Sequence, residues 1–294
     1  MKKLLMLLSL IIVVTFTACK PEPEPEQPNG GTDNPPAQEN VKISKIYVEN
    51  GKGKELSEIW IWDKEQLKKI EFYMPSYEGE IELKAEEYYT YNDNSQITRI
   101  EDFGHGEYIE YIYDGDKITK ARAYDEGELF EDWRFSYENN KISKIELVFG
   151  DYKTSDNTLN PLKIALPNEL SNHIRNYMRN TILNHRSDVY IELTWDGDNI
   201  SNIEEVVDGY RLIIDLKYDN KLNPFYNFLG LNAESYVDEL YGSKNNVTQI
   251  VYTHYSDGET YNEVTNYSYN YDGDYPTVIR QNGSSSMVWY YEYE

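Results

Sequence analysis

The sequence predicts an all-β protein: a long antiparallel meander of repeated hairpins that forms a curved sheet or barrel-like domain, with one or two short helical insertions. A recurring element carries this reading. Two aromatic residues at alternate positions and an acid or amide are followed by a short turn and then Ile-x-(Lys/Arg)-Ile or a close variant. It occurs as Trp60-Ile-Trp62-Asp63 with Leu67-Lys-Lys-Ile70, Tyr89-Thr-Tyr91-Asn92 with Ile97-Thr-Arg-Ile100, and Tyr111-Ile-Tyr113-Asp114 with Ile118-Thr-Lys-Ala121. Phe135-Ser-Tyr137-Glu138 precedes Ile142-Ser-Lys-Ile145, and Leu193-Thr-Trp195-Asp196 precedes Ile200-Ser-Asn-Ile203. A degenerate copy stands at Leu216-Lys-Tyr218-Asp219 and a late one at Tyr269-Asn-Tyr271-Asp272 with Val278-Ile279.

Aromatic and β-branched residues at alternate positions share one face of a pleated strand. The Asp-Gly-Asp runs at 114–116, 196–198 and 272–274 supply the positive-φ residue of a tight hairpin turn. The key aromatic recurs after 22 residues from Tyr91 to Tyr113 and after 24 from Tyr113 to Tyr137, room for two strands and their turns. Two stretches break the pattern. Asn168 to Asn184 spaces Leu170, Ile174, Tyr177, Met178 and Ile182 as an amphipathic helix, and Asn232 to Tyr241 reads as a shorter one stopped at Gly242.

Three segments follow from composition. Residues 1–18 form a leader: Met1-Lys2-Lys3, an apolar run from Leu4 to Phe16 too short to span a bilayer, and Thr17-Ala18 before Cys19. Residues 19–40 are a tether rich in proline and glutamate, with almost nothing to bury. Residues 41–294 are the repeat domain, long enough for a substantial core. Cys19 is the only cysteine, so no disulfide supports the fold.

The small residues before Cys19 resemble the lipobox of bacterial lipoproteins, although Phe16 stands where leucine is usual. The resemblance implies acylation of Cys19 and cleavage before it, so that acyl chains such as palmitate hold the chain to a membrane. Glu22, Glu24 and Glu26 behind the cysteine look like the signal that takes some lipoproteins to the surface of the outer membrane. The periplasmic face is the alternative.

The repeat resembles the YD repeats of bacterial surface proteins, without the Gly-Arg that usually follows Tyr-Asp there. A closer likeness is to a family of bacterial lipoproteins of unknown function with a porin-like fold. It includes Lys221-Leu-Asn-Pro-Phe225 followed by Ser243-Lys-Asn-Asn-Val247. It implies a barrel-like or strongly curved sheet and assigns no activity. Glu110, Arg134, Lys144, Glu192 and Lys217 lie in or beside the strands, where lipid exposure is costly, so the porin-like shape is expected to be soluble and attached only through its lipid.

A formal charge of −24 repels nucleic acid and anionic head groups. The histidines at 105, 173, 185 and 254 are scattered, and a three-residue Asp-Gly-Asp turn cannot supply a calcium shell, so neither metal nor cofactor is expected. No nucleophile elbow or phosphate loop appears, and no pair of carboxylates stands out as a hydrolase site, so the chain reads as a non-enzyme. The chemistry left is stacking. Trp60, Trp62, Tyr91, Tyr113, Trp133, Trp195 and Tyr271 are the candidate stacking residues for a glycan, a peptide or an envelope protein, or else cross-strand pairs that hold the sheet together. The expected function is an exported, lipid-anchored binding module; a structural part of the envelope is the alternative.

Overall fold

The computed structural model describes residues 41–49, 53–76, 79–103, 106–150, 159, 161–164, 175, 189–207, 210–226, 243–256, 259–282 and 286–294. These form sixteen strands: β1 (Ile43–Glu49), β2 (Lys54–Asp63), β3 (Gln66–Pro75), β4 (Ile81–Tyr91), β5 (Ile97–Asp102), β6 (Glu107–Asp114), β7 (Lys117–Asp125) and β8 (Glu128–Glu138). They continue with β9 (Lys141–Gly150), β10 (Val189–Asp196), β11 (Asn199–Val207), β12 (Tyr210–Leu222), β13 (Asn245–Ser256), β14 (Glu259–Asp272), β15 (Tyr275–Asn282) and β16 (Met287–Tyr293). Each strand pairs antiparallel with its sequence neighbours, and β16 pairs with β1, so the meander closes into a barrel instead of remaining a curved sheet. The leader, the tether and Cys19 lie outside the described residues, as do the two expected helices apart from Arg175, which is helical.

Each repeat is an even-numbered strand, a turn and an odd-numbered strand. Gly115, Gly197 and Gly273 open two-residue turns with φ of 59°, 56° and 59°, the left-handed value that a type II′ hairpin needs at its first central residue. The Ile-x-x-Ile spacing does not fit simple alternation, and the structure explains why. Opposite the second aromatic of every such hairpin the odd strand carries one extra residue, so that Tyr91 faces Ile97 while Thr90 faces Arg99, and Tyr113 faces Ile118 while Ile112 faces Lys120. This bulge turns both isoleucines inward. The extra residue is usually a hydroxyl that donates across the bulge: Thr98 to the Thr90 carbonyl (3.3 Å), Thr119 to Ile112 (3.1 Å), Ser143 to Ser136 (3.4 Å) and Ser201 to Thr194 (3.2 Å).

The second aromatic does more than fill space. In every even-numbered strand one aromatic side chain donates to the main-chain carbonyl of the first inward residue of the preceding odd strand. Trp62 donates to Ile43, Tyr91 to Leu67, Tyr113 to Ile97, Tyr137 to Ile118, Trp195 to Ile142 and Tyr218 to Ile200, at 2.6–3.0 Å. Tyr269 to Val247 and Tyr293 to Pro276 complete the ring. The donor on β14 is Tyr269, because the β14–β15 hairpin runs two residues deeper than the others and carries Tyr271 past the ring.

The closing pair repeats the motif without a covalent turn. β16 ends in Tyr291-Glu-Tyr293-Glu294 and β1 begins with Ile43-Ser-Lys-Ile46, the two halves of the repeat. Lys42 and Glu294 exchange backbone hydrogen bonds of 3.3 and 2.9 Å where a turn would sit. The same bulge falls between Ile43 and Lys45. The barrel is thus a ring of eight hairpins, one of them made from the two ends of the domain.

A circular barrel of sixteen strands leaves an aqueous channel. Among the described residues the inward side chains are shut off from solvent: Ile43, Ile70, Ile100, Ile145, Ile203 and Ile214 are 0 % exposed. Leu159 and Leu162, from the β9–β10 connection, and Phe225, from the β12–β13 connection, join the core. Phe225 lies against Trp60 and Tyr291, with ring centroids 5.8 and 5.7 Å away. Asn223 fixes the neck of its connection through the Lys244 and Ser243 carbonyls, both at 2.9 Å. That contact accounts for the Lys221–Phe225 and Ser243–Val247 motifs occurring together.

If the latch holds the register, removing one donor should cost about 1 kcal/mol. Tyr91→Phe and Tyr218→Phe, on opposite sides of the ring, should each lower Tm by about 2–4 °C and add nearly independently in the double variant. Thermal unfolding followed by circular dichroism checks this, and unchanged transitions would refute it.

Candidate functional site

The candidate stacking residues divide into two layers. Trp60 and Trp133 are 3 % and 0 % exposed and belong to the core, so no ligand reaches them. Their indoles donate inward, to Glu58 at 2.7 Å and to Glu131 at 2.9 Å. Trp62, Tyr91, Tyr113 and Trp195 lie half-buried in the latch ring, with their polar tips committed to backbone. Tyr271 sits one step beyond and donates to Asp219, which also accepts the Lys221 and Asn246 backbone N–H groups at 2.9 and 3.2 Å.

Lysines roof this ring. Lys42 lies over Trp62 (6.0 Å to the centroid), Lys68 over Tyr91 (5.5 Å), Lys117 over Tyr137 (5.1 Å), Lys141 over Trp195 (5.0 Å) and Lys221 over Tyr271 (5.9 Å). Three of these ammonium groups staple neighbouring turns. Lys42 reaches the Lys64 carbonyl (2.6 Å), Lys141 reaches Asp198 (3.2 Å), and Lys221 reaches Asp274 (2.8 Å). Burial pushes the phenols of Tyr91 and Tyr137 up to about 12, so they remain donors well into alkaline pH. Roofed and hydrogen-bonded, these aromatics line one rim of the barrel.

A second inward set was missed by the sequence reading. Glu58, Glu87, Asp102, Glu107, Glu131 and Glu205 face the interior, each at most 6 % exposed. Glu87 accepts the Tyr89 hydroxyl at 2.5 Å and Glu107 accepts the Leu159 N–H at 3.3 Å. Glu131 holds the Arg175 Nε at 3.0 and 3.2 Å, a buried ion pair that pins the β9–β10 connection inside the barrel. The signal was present: in Glu58-Ile-Trp60, Glu87-Tyr-Tyr89 and Glu131-Asp-Trp133 the acid and the aromatic are two apart and so share a face. Glu205 differs. Both of its oxygens lack a hydrogen-bond partner among the described residues, and burial pushes its carboxyl well above the ordinary range.

The outer wall is charged. Lys69 pairs with Glu71 (2.6 Å) and Glu86 (2.7 Å), Arg99 with Glu101 (3.2 Å), Lys144 with Glu146 (2.7 Å) and Arg211 with Glu204 (2.6 Å). Arg99 also lies 3.6 Å over Tyr108, which stacks on Tyr124 at 4.7 Å. A half-open groove along β12 is lined by Asp196, Asn199, Ser201, Lys217 and Asp219. Most of its polar atoms are committed, Asn199 to Asn245, Ser201 to Thr194 and Asp219 to Tyr271. The most open features are on the far rim, opposite the tight turns, where the β3–β4 and β13–β14 hairpins end in exposed Leu83, Tyr261 and Val264.

Comparison with solved structures agrees with this architecture. A porin-like protein from Bacteroides uniformis ATCC 8492 is 16% identical, over 86% of this chain and 98% of that one, with a TM-score of 0.50. A porin-like protein from Bacteroides vulgatus ATCC 8482 is 12% identical, over 86% and 99%, with a TM-score of 0.45. At such identity the first likeness is one of fold. No protein-family model and no curated protein matches the chain, and the likeness to YD repeats gains no support.

Glu205 gives a pH test. Its folded-state proton is held more tightly than in the unfolded chain, so the stability tied to that proton is complete below the ordinary glutamate value of 4.5 and is lost as pH rises through the folded value. Glu205→Gln cannot ionise. Its Tm should exceed the parent's by a larger margin at pH 8 than at pH 4.5, the difference being at least about 2 °C. An offset independent of pH contradicts this.

Proposed function

We propose that the chain is an exported, lipid-anchored binding module that presents a rigid, non-conducting barrel at the outer membrane, on its outer surface. One observation carries the reading: the barrel is inverted relative to a membrane pore. A membrane barrel needs an apolar outer belt about 25 Å tall and, to conduct, a polar lumen. Among the described residues this barrel has a buried, mostly apolar inner face and an outer wall laced with ion pairs. Attachment is therefore assigned to acyl chains on Cys19, through a tether that joins the barrel at Lys42, on the rim of tight turns.

A closed interior leaves the outer surface as the place of contact. Three of the inward acids, Glu58, Glu87 and Glu131, anchor an indole, a phenol and a guanidinium group in the core. This favours binding over catalysis, with a glycan, a peptide or an envelope protein as ligand.

The chain expressed with its leader in a Gram-negative host should incorporate labelled palmitate, and Cys19→Ala should not. The purified mature Cys19→Ala chain should remain monodisperse without detergent and give no conductance steps in planar bilayers. Channel activity, or a requirement for detergent in the unacylated chain, would overturn the proposal. Loss of labelled surface protein with an intact periplasmic pool would move it to the inner face.

A further inference from the structure

β14 outruns its neighbour. It pairs with β13 from Glu259, opposite Ser256, but with β15 only from Asn266, opposite Asn282. Among the described residues, Glu259 to Thr265 therefore have a strand partner on one side alone. The six residues from Glu259 to Val264 are all exposed, on both faces of the sheet, so the hairpin stands clear of the far rim.

The register identifies which backbone groups are open. Ser256 and Glu259 pair with two residues between them, the register at which an antiparallel pair exchanges both of its backbone hydrogen bonds. Alternation then directs the N–H and C=O of Thr260, Asn262 and Val264 away from β13. Exposed edges are normally blunted by lysine, proline or a bulge. The β3–β4 hairpin, which also outruns its neighbour, has all three of these devices: Lys84, Pro75, and a register shift where Phe72 and Tyr73 face Ala85 and Leu83. On β14 the run Glu259-Thr-Tyr-Asn-Glu-Val-Thr265 has no lysine or proline, and its register against β13 is unbroken.

We propose that this edge captures an extended, basic segment of a partner protein by adding it as a further strand. The inference rests on the binding-module reading and names the site and the partner's chemistry. Glu259, Tyr261 and Glu263 share one face, so a paired strand with basic side chains four positions apart meets both carboxylates, and the position between them lies over the Tyr261 ring, which is 63 % exposed. The other face offers Thr260, Asn262 and Val264 to β-branched or polar side chains. The chain's charge of −24 favours approach of such a segment and repels acidic ones. Main-chain bonds supply affinity and the alternating side chains supply specificity.

The test uses the mature Cys19→Ala chain and a labelled heptapeptide of alternating lysine and valine. Two control peptides replace lysine by glutamate or carry N-methyl groups on alternate amides. The lysine peptide should bind at least about tenfold more tightly than either control and slow hydrogen exchange in residues 259–266. Asn262→Pro removes an N–H that points away from β13, and should abolish binding with little change in Tm. Glu259→Gln/Glu263→Gln should weaken binding about tenfold. Equal binding of the N-methylated peptide, or full binding to Asn262→Pro, would overturn the proposal, and if Asn262→Pro fails to fold the N-methylated peptide alone decides. A concentration-dependent dimer lost in Asn262→Pro would assign the edge to a second copy and also overturn it. Envelope pull-downs separate the two readings: partners held equally by parent and Asn262→Pro leave the module standing without this edge, whereas empty pull-downs and glycan arrays count against the module itself.

Discussion

The structure depends on one contact repeated around a ring, an indole N–H or phenol O–H given to the main-chain carbonyl that opens the preceding strand. Alone each bond contributes about 1 kcal/mol. Its larger effect is geometric. A side chain long enough to reach that carbonyl must come from one position on one strand, so the bond sets the stagger between hairpins, while the bulge sets the stagger within each. A slip of one residue would break the latch and turn the paired isoleucines out to solvent. At Trp62, Trp195 and Tyr271 the lysine laid over the ring also ties neighbouring turns together, so one aromatic position serves register, packing and the rim.

That division of labour separates shape from role. The likeness to the porin-like protein from Bacteroides uniformis is one of fold, and in this chain the wall is charged on the outside while the described inward side chains are mostly apolar. Inward carboxylates are compatible with an apolar core because most of them are matched by a donor on the same strand or from an inserted connection, as Glu58 is by Trp60 and Glu131 by Arg175. The two rims differ. One is lined by the aromatic ring, and the other ends in hairpins of unequal length.

Much of this was legible in the residues. Alternating aromatics, glycine turns and the spacing of about two strands per repeat identify hairpins before any coordinates are known. The Ile-x-x-Ile spacing was also visible, but alternation alone cannot explain why residues three apart face the same way; the bulge at Thr98, Thr119, Ser143 and Ser201 does. Closure was written at the ends, in Ile43-Ser-Lys-Ile46 and Tyr291-Glu-Tyr293, as two half-repeats that read as ordinary strands until each is recognised as the other's missing half. The candidate site was less legible. Tyr and Trp are equally suited to stacking on a sugar and to reaching a carbonyl, and composition does not tell which. Trp60 and Trp133 could have been placed inside by the acid two positions before each. The open edge of β14 is a property of two strands' relative lengths, which no local pattern encodes.

The central claim is that the ring is closed, with β1 and β16 as strongly held as any internal pair although no turn joins them. Native-state hydrogen exchange measured peptide by peptide tests it most directly. In a closed ring, amides in 43–49 and 287–293 exchange as slowly as those of β6 and β7, through opening of the whole barrel. Exchange of these two strands within seconds, while the remainder stays protected, would mean that the seam is an edge and would contradict the ring.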